Sequence, residues 1–113
     1  MAPRKDLLQG TLGLLILQAL AGEQRHGYGI ARWIRDKSGD VLEIPEGSLY
    51  PALRRLEDRG LIDSHWDISE NNRRARFYSL TPEGRRHLRG DAGDWSRYAQ
   101  AVSLVLRTDP PAI

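Results

Sequence analysis

The chain is 113 residues long, 40% hydrophobic and 28% charged, with a formal net charge of +2; that length suits one domain, or one domain with an appendage. It contains no cysteine, which excludes disulfides and thiolate metal centres and gives no sign of an oxidising compartment. The small net charge hides a local pattern: Arg73, Arg74 and Arg76 form one cluster, and Arg85, Arg86 and Arg89 another. All but Lys5 and Lys37 of the 17 basic residues are arginine, which suits bidentate contacts to phosphates and bases, although a genome-wide codon bias gives the same figure.

Arg4 and Lys5 precede the apolar run LLQGTLGLLILQALAG, and Ala19-Leu20-Ala21 has a superficial likeness to a signal-peptide cleavage site. Against that reading, Asp6 abuts the run, and Gln9, Gly10 and Gln18 interrupt it. No uninterrupted apolar stretch approaches the ~20 residues needed to span a bilayer. The run therefore predicts a buried first helix over 7–21, with no membrane partner and a cytoplasmic location. Leu8, Leu12, Leu15, Ile16 and Ala19 fall on one face, and Gly22 is the expected stop. Leu7, Leu14, Leu17 and Leu20 make the helix apolar nearly all round, the mark of a helix covered on more than one side.

RHGYGIARWIRDKSG predicts a second helix over about 27–37, with Ile30, Trp33 and Ile34 on one face and Gly39 as a left-handed cap. DVLEIP is too short for a helix and reads as a brief extended link. In EGSLYPALRRLEDRGLI, Leu49, Ala52, Leu53 and Leu56 make a core stripe, while Ser48, Pro51, Arg54, Arg55 and Asp58 lie opposite. Ser48 is the expected N-cap of this third helix, which places Pro51 in the first turn, where a missing N–H breaks no intrahelical bond. Gly60 ends it.

Ile62, Ser64, Trp66 and Ile68 then alternate with Asp63, His65 and Asp67, the period of a half-buried strand. Ala75 to Leu80 is a second strand-prone run, and SENNRR between them is turn chemistry, with two asparagines able to take positive φ. Trp33 and Trp66 read as core or strand-face residues. From Thr81, a cap residue followed by Pro82 and Glu83, a long last helix begins. Leu88, Ala92, Trp95, Ala99, Val102 and Leu106 follow an a/d heptad spacing along it. A helix of some 25 residues runs about 38 Å, longer than a small three-helix domain covers, so intersubunit contacts are expected through this seam together with Leu8, Leu12 and Leu15 of the first helix.

These elements describe a mainly α fold with a small β-hairpin: a winged helix-turn-helix over 1–81, a dimerisation helix over 82–107 and a disordered tail over 108–113. Ser48, Tyr50, Arg54 and Arg55 on the third helix, with Arg73, Arg74 and Arg76 on the hairpin, form the main chemical constellation. A major groove admits one helix, arginine forks to guanine O6 and N7, and hydroxyls suit phosphates; hairpin arginines suit the backbone or a narrow minor groove. The plain alternative is a solvated arginine face paired with Glu57, Asp58 and Glu70. A winged-helix module that meets an acidic protein surface or a small molecule, without binding DNA, is the rival function. His26, His65 and His87 have no second ligand at helical spacing, so no metal is expected. No nucleophile–base pair, carboxylate dyad or phosphate-cradling glycine loop is visible, so neither catalysis nor a cofactor is expected.

HGYGI, EGSLYPALRRLEDRGLI and RRARFYSLTPEGRRHL resemble the PadR family of bacterial transcriptional regulators, and the likeness runs from about Asp6 to Leu106. SENNRRARFYSLTPEGRRHL is similar to a branch abundant in acidobacterial genomes. The resemblance implies a homodimer on an inverted-repeat operator in double-stranded DNA, acting as a repressor released by a small molecule. It also implies that Tyr28, Ser48, Tyr50, Arg54, Arg74 and Arg76 contact DNA. By the same resemblance Trp95 and Tyr98 help line a cavity for an aromatic or hydrophobic effector between two copies, near Leu8 and Leu15. The alternative for Trp95 is a packing knob in the heptad seam. The link between the second and third helices, Ser38 to Glu46, is longer than the usual 3–4-residue turn, a feature the family shares.

Overall fold

The leucine-rich first segment forms α1 (Lys5–Ala19), which contacts three other helices: α2 (Gly27–Lys37), α3 (Glu46–Asp58) and α4 (Pro82–Arg107). Those neighbours explain its composition. Leu12, Ile16 and Leu17 are fully buried, while Leu14 and Leu15 pack at the edge of the core. The computed structural model describes residues 5–107, so the expected tail at 108–113 lies outside the described residues. α1 ends at Ala19, two residues before the predicted boundary, because the Arg25 side chain reaches back and its Nε donates to the Ala19 carbonyl at 2.7 Å.

Arg25 and His26 form a two-residue strand, β1, that pairs antiparallel with β3 (Arg74–Leu80), which in turn pairs with β2 (Ile62–Ile68). The sheet order is β1-β3-β2. His26 is also the N-cap of α2, its Nδ1 accepting the Gly29 N–H at 3.0 Å. A cap of this kind is worth about 1 kcal/mol, so His26→Ala is expected to lower stability by about that amount in denaturant unfolding. α2 closes as foreseen: Gly39 (φ +63°) is left-handed, and Asp40 (φ +66°) donates its N–H to the Arg35 carbonyl at 2.8 Å.

The start of α3 differs from the sequence reading. Pro45, not Ser48, is the N-cap; its fixed φ of −66° precedes Glu46, whose charge suits the first turn. Ser48 is therefore already inside the helix, its hydroxyl accepting from Gln9 Nε2 at 3.3 Å. Pro51 consequently lies beyond the first turn, where its ring removes the bond that would run to the Gly47 carbonyl. At the other end Gly60 (φ +75°) turns the chain, and the Leu61 N–H returns to the Leu56 carbonyl at 3.0 Å.

The wing meets α4 at a tight junction. The Thr81 N–H donates to the Leu61 carbonyl at 3.1 Å, its hydroxyl donates to the Gly60 carbonyl at 2.7 Å, and that hydroxyl accepts the Gly84 N–H at 3.0 Å. At the wing tip Asn72 alone of the two asparagines takes positive φ, +58°, after a turn in which its N–H donates to the Ser69 carbonyl at 2.9 Å. Ile62 and Tyr78 are buried at the base of the wing; burial pushes the Tyr78 phenol above the usual tyrosine range.

Only Gly84 and Leu88 of α4 are buried among its described residues. Leu12 and Leu88, expected between two copies, sit instead in this chain's own core, because the first turns of α4 pack on α1. Neither offers surface to a partner. The remainder of α4 projects outward, and the described residues extend 62 × 30 × 21 Å.

Candidate nucleic-acid interface

Leu49, Ala52, Leu53 and Leu56 anchor α3 in the core, and this stripe fixes which side faces out. Tyr50, Pro51, Arg54, Arg55 and Asp58 are exposed, and Ser48 is half-buried. The guanidinium groups of Arg54 and Arg55 make no hydrogen bond or ion pair among the described residues. Arg73 is likewise exposed and unpaired at the wing tip.

The glycine of H-G-Y at the start of α2 has a local cause. Gly27 is buried, and a Cβ there would lie 2.7 Å from the Tyr50 hydroxyl. The absence of a side chain lets the Tyr50 ring settle against the first turn of α2, beside Tyr28, which is 66% exposed. Tyr28, Tyr50, Arg73, Arg74 and Arg76 line one groove of about 550 Å³ between α2, α3 and the wing. Five of the eight residues singled out for DNA are thus brought together. Ser48, Arg54 and Arg55 lie outside the groove lining, on α3.

Two features decide between alternatives the sequence reading left open. Trp66 is the strand-face residue of the two alternatives, an exposed wall of this groove: the Arg74 guanidinium stacks 5.0 Å from its ring centre. Arg76 is not free. Its Nε donates to Ser64 Oγ at 2.8 Å, and a terminal nitrogen lies 3.4 Å from Glu57 Oε2. The signal was the shared alternation of Ser64 and Trp66 with Arg74 and Arg76, readable only once the strand register is known. At the wing tip Glu70 lies 3.6 Å from Nε2 of His26, which also lines the groove. Its carboxyl is held below the usual range first by its own backbone N–H, then by His26 and Arg32.

A second concavity, about 480 Å³ and mostly apolar, lies between α1 and α4; Leu7, Leu8, Leu14, Leu15, Ala92 and Trp95 line it. Trp95 shares that lining with Leu8 and Leu15, and Tyr98 stands 6.3 Å from Trp95 between ring centres without lining the groove. Farther along α4, Val102, Leu104, Val105 and Leu106 are exposed. Among the described residues no helix is long and apolar enough to cross a membrane, and no acidic or histidine cluster is placed to hold a metal.

Comparison with known proteins agrees with this architecture. Residues 16–90 match the model of the Transcriptional regulator PadR-like family. A PadR family transcriptional regulator from Eggerthella lenta superposes with a TM-score of 0.76 at 34% identity, covering 92% of this chain and 88% of that one. A transcriptional regulator from Clostridium thermocellum gives 0.79 at 30% identity, covering 88% and 96%. The negative transcriptional regulator PadR of Bacillus subtilis is 28% identical over 99 residues, 88% of this chain but 52% of its own length. With the match covering most of its length, and the helix-wing arrangement in place, this chain belongs to the PadR-like family of transcriptional regulators.

Proposed function

We propose that the chain is a sequence-specific DNA-binding regulator that works as a homodimer, represses by occupying a promoter, and is released by an aromatic or hydrophobic small molecule. The observation that carries this reading is the outward face of α3. Two unpaired arginines, Arg54 and Arg55, stand there beside a groove rimmed by the wing arginines Arg73 and Arg74. α3 enters the major groove, the α3 arginines reach base edges or phosphates, and the hydroxyls of Tyr28, Ser48 and Tyr50 fix register on the backbone. Residues up to Thr81 supply this DNA-binding part and α4 supplies assembly.

Two copies join through α4 and the outer face of α1, with Leu15, Ala92, Trp95, Ala99, Val102 and Leu106 facing the partner; Leu8, 8% exposed, is covered within the chain. Their recognition helices then sit about one duplex turn, ~34 Å, apart, which matches an inverted repeat. The α1–α4 groove beside Trp95 suits an apolar effector. A ligand that fits only one spacing of the two α3 helices shifts the dimer away from the operator-bound form.

A salt titration of binding to the chain's own promoter tests the reading. A dimer making 6–10 phosphate contacts should lose about 10³–10⁵-fold in affinity between 50 and 200 mM salt. Arg54→Ala with Arg74→Ala should flatten that dependence and weaken binding. A flat response in the unsubstituted chain, or indifference to both substitutions, would leave the DNA role without support.

A further inference from the structure

Strand alternation gives the wing two unlike faces. The register sets Trp66 opposite Arg76 and Ile68 opposite Arg74, so these four side chains share one face. Asp63, His65 and Asp67 fall on the other, opposite Ser79, Phe77 and Ala75. Towards its tip the first face is cationic, apolar and open: Trp66 is 55% exposed and Ile68 57%. It is the face turned to the groove that Tyr28 and Tyr50 also line.

The two arginines on this face differ in kind. Arg76 is held three ways: by Ser64, by the Glu57 carboxylate of α3, and by the Trp66 ring at 6.0 Å. Ser64 completes the knot, its hydroxyl donating to the same Glu57 oxygen at 2.6 Å. The Arg76 charge is therefore matched within the chain. Arg74 has no hydrogen bond or ion pair from its guanidinium among the described residues; the indole of Trp66 is its partner.

We infer that Trp66 is a DNA-contacting residue that also aims Arg74, while Glu57, Ser64 and Arg76 are positioning residues that set the angle between the wing and α3. The inference rests on the DNA-binding reading above. Phosphates repel the Asp63 and Asp67 face, so the duplex meets the wing by the Trp66 and Arg74 face. A flat indole offers apolar contact to a deoxyribose, and a guanidinium stacked on it loses less freedom on reaching a phosphate or a narrow minor groove. Removing the indole leaves the cation in place. Affinity should therefore fall while the count of released counterions stays the same.

The experiment measures binding of the full chain to a duplex spanning its own promoter and to a mixed-sequence duplex, across a salt series. Trp66→Ala should bind the promoter about tenfold more weakly with an unchanged slope of log affinity against log salt, whereas Arg74→Ala should lower both. Trp66→Tyr should recover most of the loss, and all three should unfold at the wild-type midpoint because these side chains are exposed. Duplex should quench tryptophan emission more in the unsubstituted chain than in Trp66→Ala, the difference being the Trp66 emission. Glu57→Gln, which frees Arg76, should steepen the slope by about one per protomer and narrow the preference for promoter over mixed sequence.

If the unsubstituted chain binds steeply with salt but Trp66→Ala binds equally well, or duplex leaves Trp66 emission unchanged, the role of Trp66 is refuted. Glu57→Gln behaving as wild type on both duplexes refutes the positioning role. If the unsubstituted chain binds neither duplex, the DNA-binding reading itself has failed, and this inference with it.

Discussion

Gly84→Ala should lower the stability of this chain by about 3 kcal/mol or more, a larger loss than most single methyl additions produce. A Cβ at Gly84 would fall on the Leu61 carbonyl, with the Leu80 side chain 2.9 Å away. The Leu61 backbone has no room to yield. Its carbonyl is held by the Thr81 N–H and its own N–H by the Leu56 carbonyl, so it is tied to both the wing and the end of α3. The alternative is for α4 to draw back, which breaks the Thr81 cap and uncovers Leu88. At roughly 4–8 °C per kcal/mol for a domain of this size, the unfolding midpoint should drop by about 12 °C or more at matched protein concentration. Gly90→Ala is the control. A Cβ there meets nothing within 4 Å, and the exchange should add about 0.5–1 kcal/mol through helix propensity alone. Equal midpoints for Gly84→Ala and the wild type would show that the junction is looser than its hydrogen bonds imply.

Val102→Glu combined with Leu106→Glu should turn a dimer into a monomer and reduce promoter affinity by about 10²–10⁴-fold. Past Leu88, none of the described α4 residues is buried within the chain, while Val102 and Leu106 are 36% and 78% exposed one helical turn apart. In a paired seam the double variant sets four carboxylates together in a poorly hydrated layer, where burial of unpaired charge is strongly unfavourable. The core of the chain lies elsewhere, so far-ultraviolet circular dichroism should change little. Affinity falls because each half-site is then bound alone, without the local concentration that linkage provides. A variant that still sediments with the wild-type mass would remove the α4 seam from the account.

The helices and the wing were legible because their signals are local. Gly39 and Gly60 mark turns that require positive φ, Thr81 and Pro82 open α4, and the leucine stripe of α3 fixes which of its residues face out. β1 was not legible. Two residues carry no periodicity, and Arg25 and His26 become a strand only because Tyr78 and Phe77 lie beside them. The start of α3 was misplaced for a related reason. Ser48 is chemically a good cap, but its hydroxyl meets Gln9 from a helix far away in sequence, and Pro45 had already opened the turn.

At the candidate site, the exposure of Arg54, Arg55, Arg73 and Arg74 followed from patterning. Glu57 was already named as a partner for the arginines, but that Arg76 is the one it takes was not readable, since those residues are 19 apart and meet through the wing's register. The heptad spacing placed Leu88 in a seam with Trp95, although periodicity alone cannot say whether a position faces α1 of the same chain or a second one.

Pro51 divides α3 mechanically. The turn ahead of it, with Ser48 and Tyr50, is joined to the turns behind by one fewer backbone tether, while Arg54 and Arg55 ride on the portion locked by Leu53 and Leu56. The front turn is held from the side instead, by Leu49 in the core, by Gln9 on Ser48 and by the first turn of α2 against Tyr50. On the DNA-binding reading, the Ser48 and Tyr50 hydroxyls would then be aimed by α1 and α2, and the guanidinium pair by the Leu53 and Leu56 packing behind the proline.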